Sequence, residues 1–135
     1  MKTKTIGDYG EKLAVGYLKR HGYKIVERNY RSRFFEIDII AYDGDCLCFV
    51  EVKTRSRDDY GLACEAVNYS KQKKIIKGAT AYLALNNVDS PTRFDVVEVY
   101  VKDMNLFSKK RINIIKNAFY AQGIVICLTV IAILY

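Results

Sequence analysis

The chain is poor in the residues that build zinc and redox centres. It has one histidine, His21, and four cysteines, at positions 46, 48, 64 and 127, and no C-x-x-C pair. A zinc knuckle or a dithiol redox motif rests on that spacing, so neither is expected. Cys46 and Cys48 lie two apart in a strand-like run and so point to one face, where free thiols serve as small apolar groups in a reducing compartment. The opening stretch MKTKTIGDYGEK has no apolar h-region, so no secretory signal is expected and the glycosylation sequon NYS at 68–70 carries no meaning. The expected compartment is the cytoplasm. No phosphate loop, Rossmann glycine pattern or nucleophile elbow occurs, which removes three common chemistries. There is one proline, Pro91, marking a turn, and neither an internal repeat nor a low-complexity linker.

What is present is enough for one domain. Of 135 residues, 50% are hydrophobic, so a core can form and disorder is not expected. Lys and Arg number 22 against 15 Asp and Glu, a formal charge of +7. That balance suits a polyanionic partner, either nucleic acid or an anionic membrane surface.

The chain reads as α-β-β-β-α-β, a mixed α/β domain. Asp8 and Glu11 look like a capping pair, Leu13, Ala14, Tyr17 and Leu18 form an amphipathic stripe, and Gly22 ends the first helix. YKIVERNYR, FFEIDIIAY and CLCFVEVKT are strands, the last two joined by the DGD turn at 43–45, and together they predict an antiparallel meander. Residues 55–68 read as a loop. Ile75, Ile76, Ala79, Tyr82 and Leu83 give a second helical stripe, closed by Asn86 and Asn87. RFDVVEVYV alternates as a fourth strand, and RINIIKNAF reads as a short fifth.

The second and third strands carry an oddity. Residues two apart in a strand share a face roughly 6.6 Å apart. Glu36 and Asp38 therefore project together, with Ile37 and Ile39 on the other side, and Glu51 projects with Lys53. Across a tight turn these groups meet in one patch. One reading is an exposed face with cross-strand ion pairs. Against it, LCFVEV reads as buried on both sides, and close buried carboxylates repel unless a cation neutralises them. A hard divalent cation resolves the conflict, and a lysine beside it can orient a water or stabilise charge on a phosphate.

FFEIDIIAYDGD, CFVEVKTRS, the following YG, SKQKK and RFDVV, in that order, resemble the YraN-like group of small bacterial proteins, which has the restriction-endonuclease-like fold. The D…E-x-K arrangement is also similar to that of archaeal Holliday-junction resolvases. The resemblance spans residues 7–119 and implies a core of mixed sheet flanked by helices that hydrolyses phosphodiesters with Mg²⁺ or Mn²⁺. It makes Asp38 and Glu51 the metal-ligand carboxylates and Lys53 the catalytic lysine. Glu11 matches an acidic residue added to the metal shell, its other reading being simple complementarity to the helix dipole. Glu36 is either a group supporting the ligands or an ion-pair partner. Phe35 departs from the family, which commonly has Gly there.

Gln72 extends the buried stripe of the second helix, where an amide needs a partner. The family reading supplies the active-site patch or a scissile phosphate, which makes Gln72 a catalytic candidate; loop backbone is the alternative. Lys71, Lys73, Lys74 and Lys77 flank that stripe, and Arg55 and Arg57 follow the E-x-K strand. They read as a solvated face or as contacts to phosphates on either side of a scissile bond.

Residues 118–135 carry no charged side chain. As a helix this run spans about 27 Å, enough to enter or cross a thin bilayer behind the basic flank of Lys109, Lys110, Arg111 and Lys116. The rival is a segment packed on the core or in a homodimer. The division expected is a nuclease-like domain over 1–119 and an apolar tail over 120–135. The expected function is a nucleic-acid-binding, Mg²⁺-dependent endonuclease acting on DNA, branched DNA included. Its rivals are a non-catalytic nucleic-acid-binding module with the same fold and a membrane-associated interaction protein.

Overall fold

A computed structural model describes residues 5–55 and 67–121. The elements are α1 (Ile6–Arg20), β1 (Lys24–Arg31), β2 (Glu36–Asp43), β3 (Cys46–Arg55), α2 (Tyr69–Leu85), β4 (Thr92–Val101) and β5 (Lys110–Phe119). This is the expected α/β, restriction-endonuclease-like order with a fifth strand of ten residues rather than a short one. The sheet order is β1-β2-β3-β4-β5; only the β3–β4 pair is parallel, reached through α2.

The two faces of the sheet bury separate cores, as the run of buried residues in β2, β3 and β4 requires. On one face Ile75, Ala79 and Tyr82 of α2 pack on Ile37, Ile40, Leu47, Phe49, Phe94 and Val96. On the other, Ala14, Val15 and Leu18 of α1 pack on Ile39, Ala41, Cys48, Val50, Val97 and Val99, with Cys46 beside them. Cys46 and Cys48 are free thiols on one face, as their spacing predicts.

Two glycines set how closely the helices approach. A Cβ on Gly10 would fall on the Thr54 side chain of β3, and one on Gly78 would stand 2.8 Å from Ile37 Cδ1 of β2. Each helix thus rides on the strand that carries a candidate carboxylate or its neighbour.

The start of α1 differs from the sequence reading. Thr5 is the N-cap and Asp8 its reciprocal partner in a capping box; Glu11 lies inside the helix and is buried. Two acids three apart imitate the capping pattern, but the hydroxyl of Thr5 reaches the Asp8 N–H at 3.1 Å. Gly22, at φ +85, follows the helix as expected.

The backbone direction of every strand collects the same parts at one end of the sheet. There β1 ends, β2 begins, β3 and β4 end and β5 begins, and α2 starts. The opposite end holds the β2–β3 turn, Pro91, and a cavity of about 610 Å³ lined by Gly22, Lys24, Tyr42, Asp45, Asp89 and Ser90 among others.

No helix among the described residues is long and apolar enough to cross a membrane. Of the uncharged run over 118–135, Ala118 and Phe119 are the end of β5 rather than a helix, and Phe119 and Ala121 are buried in the core under α2; residues 122–135 lie outside the described residues, as do Arg57 and Cys64.

Candidate metal and phosphate site

The strand pair β2–β3 keeps one register from Asp43–Cys46 to Ile39–Val50. Continued by one step, that register sets Asp38 opposite Glu51. The ladder stops there instead. Asp38 Oδ2 accepts the Val52 N–H at 2.8 Å, so a side chain stands where a backbone carbonyl would have been. The alternation of β2 breaks at the same point: Ile37 joins the core under α2 and Ile39 the core under α1. The sequence places both isoleucines on one side. The opening of the ladder at Asp38 turns them apart.

This break leaves two buried carboxyl groups side by side. Glu51 is 4% exposed, Asp38 8%. Burial first, then the Asp38 charge and a hydrogen bond shared with it, push the Glu51 carboxyl up from 4.5 to about 8. Glu51 Oε2 meets no hydrogen-bond donor among the described residues. Glu11, on α1, faces the pair closely enough for the Asp38 charge to raise its pKa too, after burial.

Cations converge on these acids from three elements. Arg31 Nη2 of β1 lies 3.5 Å from Asp38 Oδ1, and Arg28 Nη2 lies 3.8 Å from Glu11 Oε1. Lys71 of α2 pairs with Glu36 and stands 3.7 Å from Glu51 Oε1. Burial, then the Arg31 and Lys74 charges, hold the Lys71 ammonium below its ordinary value, although two carboxylates stand beside it. Lys53 is half-buried and acts on Glu51 as an opposing charge.

The candidates therefore divide. Asp38, Glu51, Glu36, Glu11 and Lys53 gather at one end of the sheet, and Lys71 belongs with them rather than on an outer flank. Lys73 and Lys74 are exposed on α2, Lys73 lying 4.5 Å over the Tyr69 ring. Arg55 is turned onto Glu98 at 3.6 Å and is largely covered. Gln72 donates to the Val67 carbonyl at 2.7 Å, the loop-backbone partner. Sequence reasoning missed Arg28, Arg31 and Glu98. Arg31 was findable: counting outward from the 32–35 turn pairs it with Glu36. Arg28 was not, because its reach to α1 depends on the packing of that helix.

The donor set suits a hard cation held by few protein ligands and completed by water. Two adjacent carboxyls, one with an unpartnered buried oxygen, supply it. No group of three or more His, Cys, Asp or Glu side chains stands ready to hold one ion among the described residues. Glu11 is a neighbour of the pair rather than a third member of a formed shell.

Comparison with known proteins gives a family. Residues 10–99 match the model for "Uncharacterised protein family UPF0102". A UPF0102 protein of Clostridioides difficile (strain 630) is 51% identical over 120 residues, covering 88% of this chain and all of that one. UPF0102 proteins of Alkaliphilus metalliredigens (strain QYMF) and Chlorobium chlorochromatii (strain CaD3) are 43% and 46% identical over 87% of this chain, and 99% and 92% of their own lengths.

Proposed function

This chain belongs to the UPF0102 family, the YraN-like group that its strand motif resembles, and from that premise we propose that it is a nucleic-acid-binding phosphodiesterase that uses Mg²⁺ or Mn²⁺. The observation that carries this reading is the buried Asp38–Glu51 pair with its unpartnered Glu51 Oε2. Two carboxyls held that close in a core are tolerable when a proton or a cation lies between them. Asp38 and Glu51 would hold the ion, with Glu11 beside them. A bound divalent cation supplies Lewis acidity at a phosphate oxygen and an acidified water.

The chain's own groups do the rest. Lys53, beside Glu51, stabilises negative charge developing on the phosphate or holds the attacking water. Arg31 and Lys71 neutralise Asp38, Glu36 and Glu51 while no ion is bound, and Arg31, half-exposed, can swing to a phosphate. Gln72 is held by its Nε2 at the Val67 carbonyl, beside the start of α2, and serves there as a positioning residue. Lys73 and Lys74, with Arg57 of the preceding segment, supply backbone contacts.

Nicking of duplex, flapped and branched DNA in Mg²⁺ and Mn²⁺ tests this. Wild type should cut at least one substrate, and Asp38→Asn should not cut while still binding. Equal activity in both would point to a contaminating nuclease. A non-catalytic binding module is the second reading, favoured by the absence of a formed three-ligand group among the described residues. Binding without cutting by wild type on every substrate would select it.

A further inference from the structure

The β4–β5 turn, residues 102–109, stands at the same end of the sheet as the carboxylates. β3 and β4 run parallel to Arg55 and Tyr100, and β4 ends at Val101. The turn is a built object. The Asp103 carboxylate accepts the Asn105 N–H at 2.8 Å and the Ser108 hydroxyl at 2.7 Å. Asn105 Oδ1 accepts the Phe107 N–H at 3.0 Å. The Lys110 ammonium donates to the carbonyls of Asn105, Leu106 and Ser108 at 3.3, 2.9 and 3.0 Å.

With its polar groups tied inward, the turn presents Met104, Leu106 and Phe107 to water at 48%, 78% and 95% exposure. Apolar side chains carried outward on a hydrogen-bonded turn mark a contact surface, and the ordered backbone lowers the entropic cost of using it. Lys102 and Lys109 are exposed on either side. An apolar tip between cations matches a partner with an anionic exterior and an apolar interior.

The sheet gives the distance. The β4–β5 hairpin lies two strand spacings, about 10 Å, to the side of the β2–β3 gap. Glu51 is level with Val96, so the end of β4 lies five residues, about 17 Å, further along. The base of the turn, at the end of β4, is therefore on the order of 20 Å from the carboxylates, roughly six base-pair rises.

We propose that the 102–109 turn is a nucleic-acid wedge: Leu106 and Phe107 enter at an unpaired or weakly stacked base step while Lys102 and Lys109 contact the flanking phosphates. Apolar wedges of this kind select deformable or interrupted duplex over regular duplex. The inference rests on the nucleic-acid reading above and adds to it the class of substrate, one with disrupted stacking. An anionic membrane offers the same charge complementarity. The placement favours nucleic acid, because the turn shares its end of the sheet with the carboxylates, whereas β5 leads away to Phe119 and Ala121 at the other end.

The test compares full-length wild type with a Leu106→Ser, Phe107→Ser double variant and with a Lys73→Ala, Lys74→Ala double variant. Each binds a regular duplex and the same duplex with an unpaired bulge carrying 2-aminopurine. Wild type should prefer the bulge by about tenfold, within the worth of one base–aromatic stack, and change the 2-aminopurine emission. The serine variant should lose that preference and that change with duplex affinity kept. The lysine variant should weaken both substrates alike, which reports on the underlying reading alone. A serine variant that keeps the preference overturns the wedge while nucleic-acid binding stands. Wild type that binds neither substrate overturns both. Cosedimentation of wild type with phosphatidylglycerol vesicles, lost in the serine variant whose DNA binding is unchanged, would assign the tip to membranes instead.

Discussion

Glu51 is an acid in surroundings that favour its neutral form. Burial and the Asp38 charge raise its pKa to about 8, from 4.5. Between those values the folded chain keeps a proton there that the unfolded chain has released. Without metal, this residue's contribution to stability is therefore full at low pH and is lost as pH rises toward 8. Denaturant melts of the metal-free protein across that window should show the fall, and Glu51→Gln should flatten it. Millimolar Mg²⁺ should offset the fall in wild type and have little effect in the variant, since ligands that bind only the folded state stabilise it. A second expectation separates holding the ion from using it. Lys53→Ala should retain Mg²⁺-dependent stabilisation and lose cleavage, read by melting and nicking on one preparation. The burial conflict at this scale was legible: Glu51 in LCFVEV is an acid in a strand that reads as buried on both sides, and the structure buries it beside Asp38. The cations that temper it in the absence of metal were less so, because Arg28 and Lys71 arrive from elements whose packing no strand pattern states.

At the scale of elements, both glycine contacts depend on a missing side chain. Alanine at position 10 would gain helix propensity worth about 1 kcal/mol. It would also collide with Thr54 of β3, and overpacking of a fixed contact costs about 1–3 kcal/mol. Gly10→Ala should therefore lower the denaturant midpoint, and adding Thr54→Ala should restore part of the loss; an unchanged midpoint would mean that α1 does not sit so close to β3. The element order, the β1–β2–β3 meander and the stripe of α2 follow from period and turn residues, which is why they were readable. The split of Ile37 and Ile39 between the two cores was not. Strict alternation puts them on one face, and only the Asp38 carboxylate's capture of the Val52 N–H reveals the twist between them. The capping error at Asp8 has the same origin: a local pattern with two solutions, resolved by Thr5.

Over the whole molecule, charge is distributed by use. The formal charge is +7, yet Arg31, Arg55, Lys71 and Arg93 each pair with carboxylates. The exposed Lys73 and Lys74 remain on α2 beside the site. If they contact phosphates, Lys73→Ala with Lys74→Ala should reduce the slope of log affinity against log salt by up to about 1.8 for duplex DNA; an unchanged slope removes them from the interface. A net basic balance in the sequence pointed to a polyanion, but it could not separate cations that neutralise the site's own acids from those that face outward. The central claim concerns the Asp38–Glu51 pair, and anomalous scattering from crystals soaked in Mn²⁺ tests it most directly. The account predicts a single strong peak about 2.0–2.5 Å from carboxylate oxygens of both residues, absent in Glu51→Gln crystals soaked alike. A map of the wild type without that peak, with Lys71 still against Glu51, would contradict it.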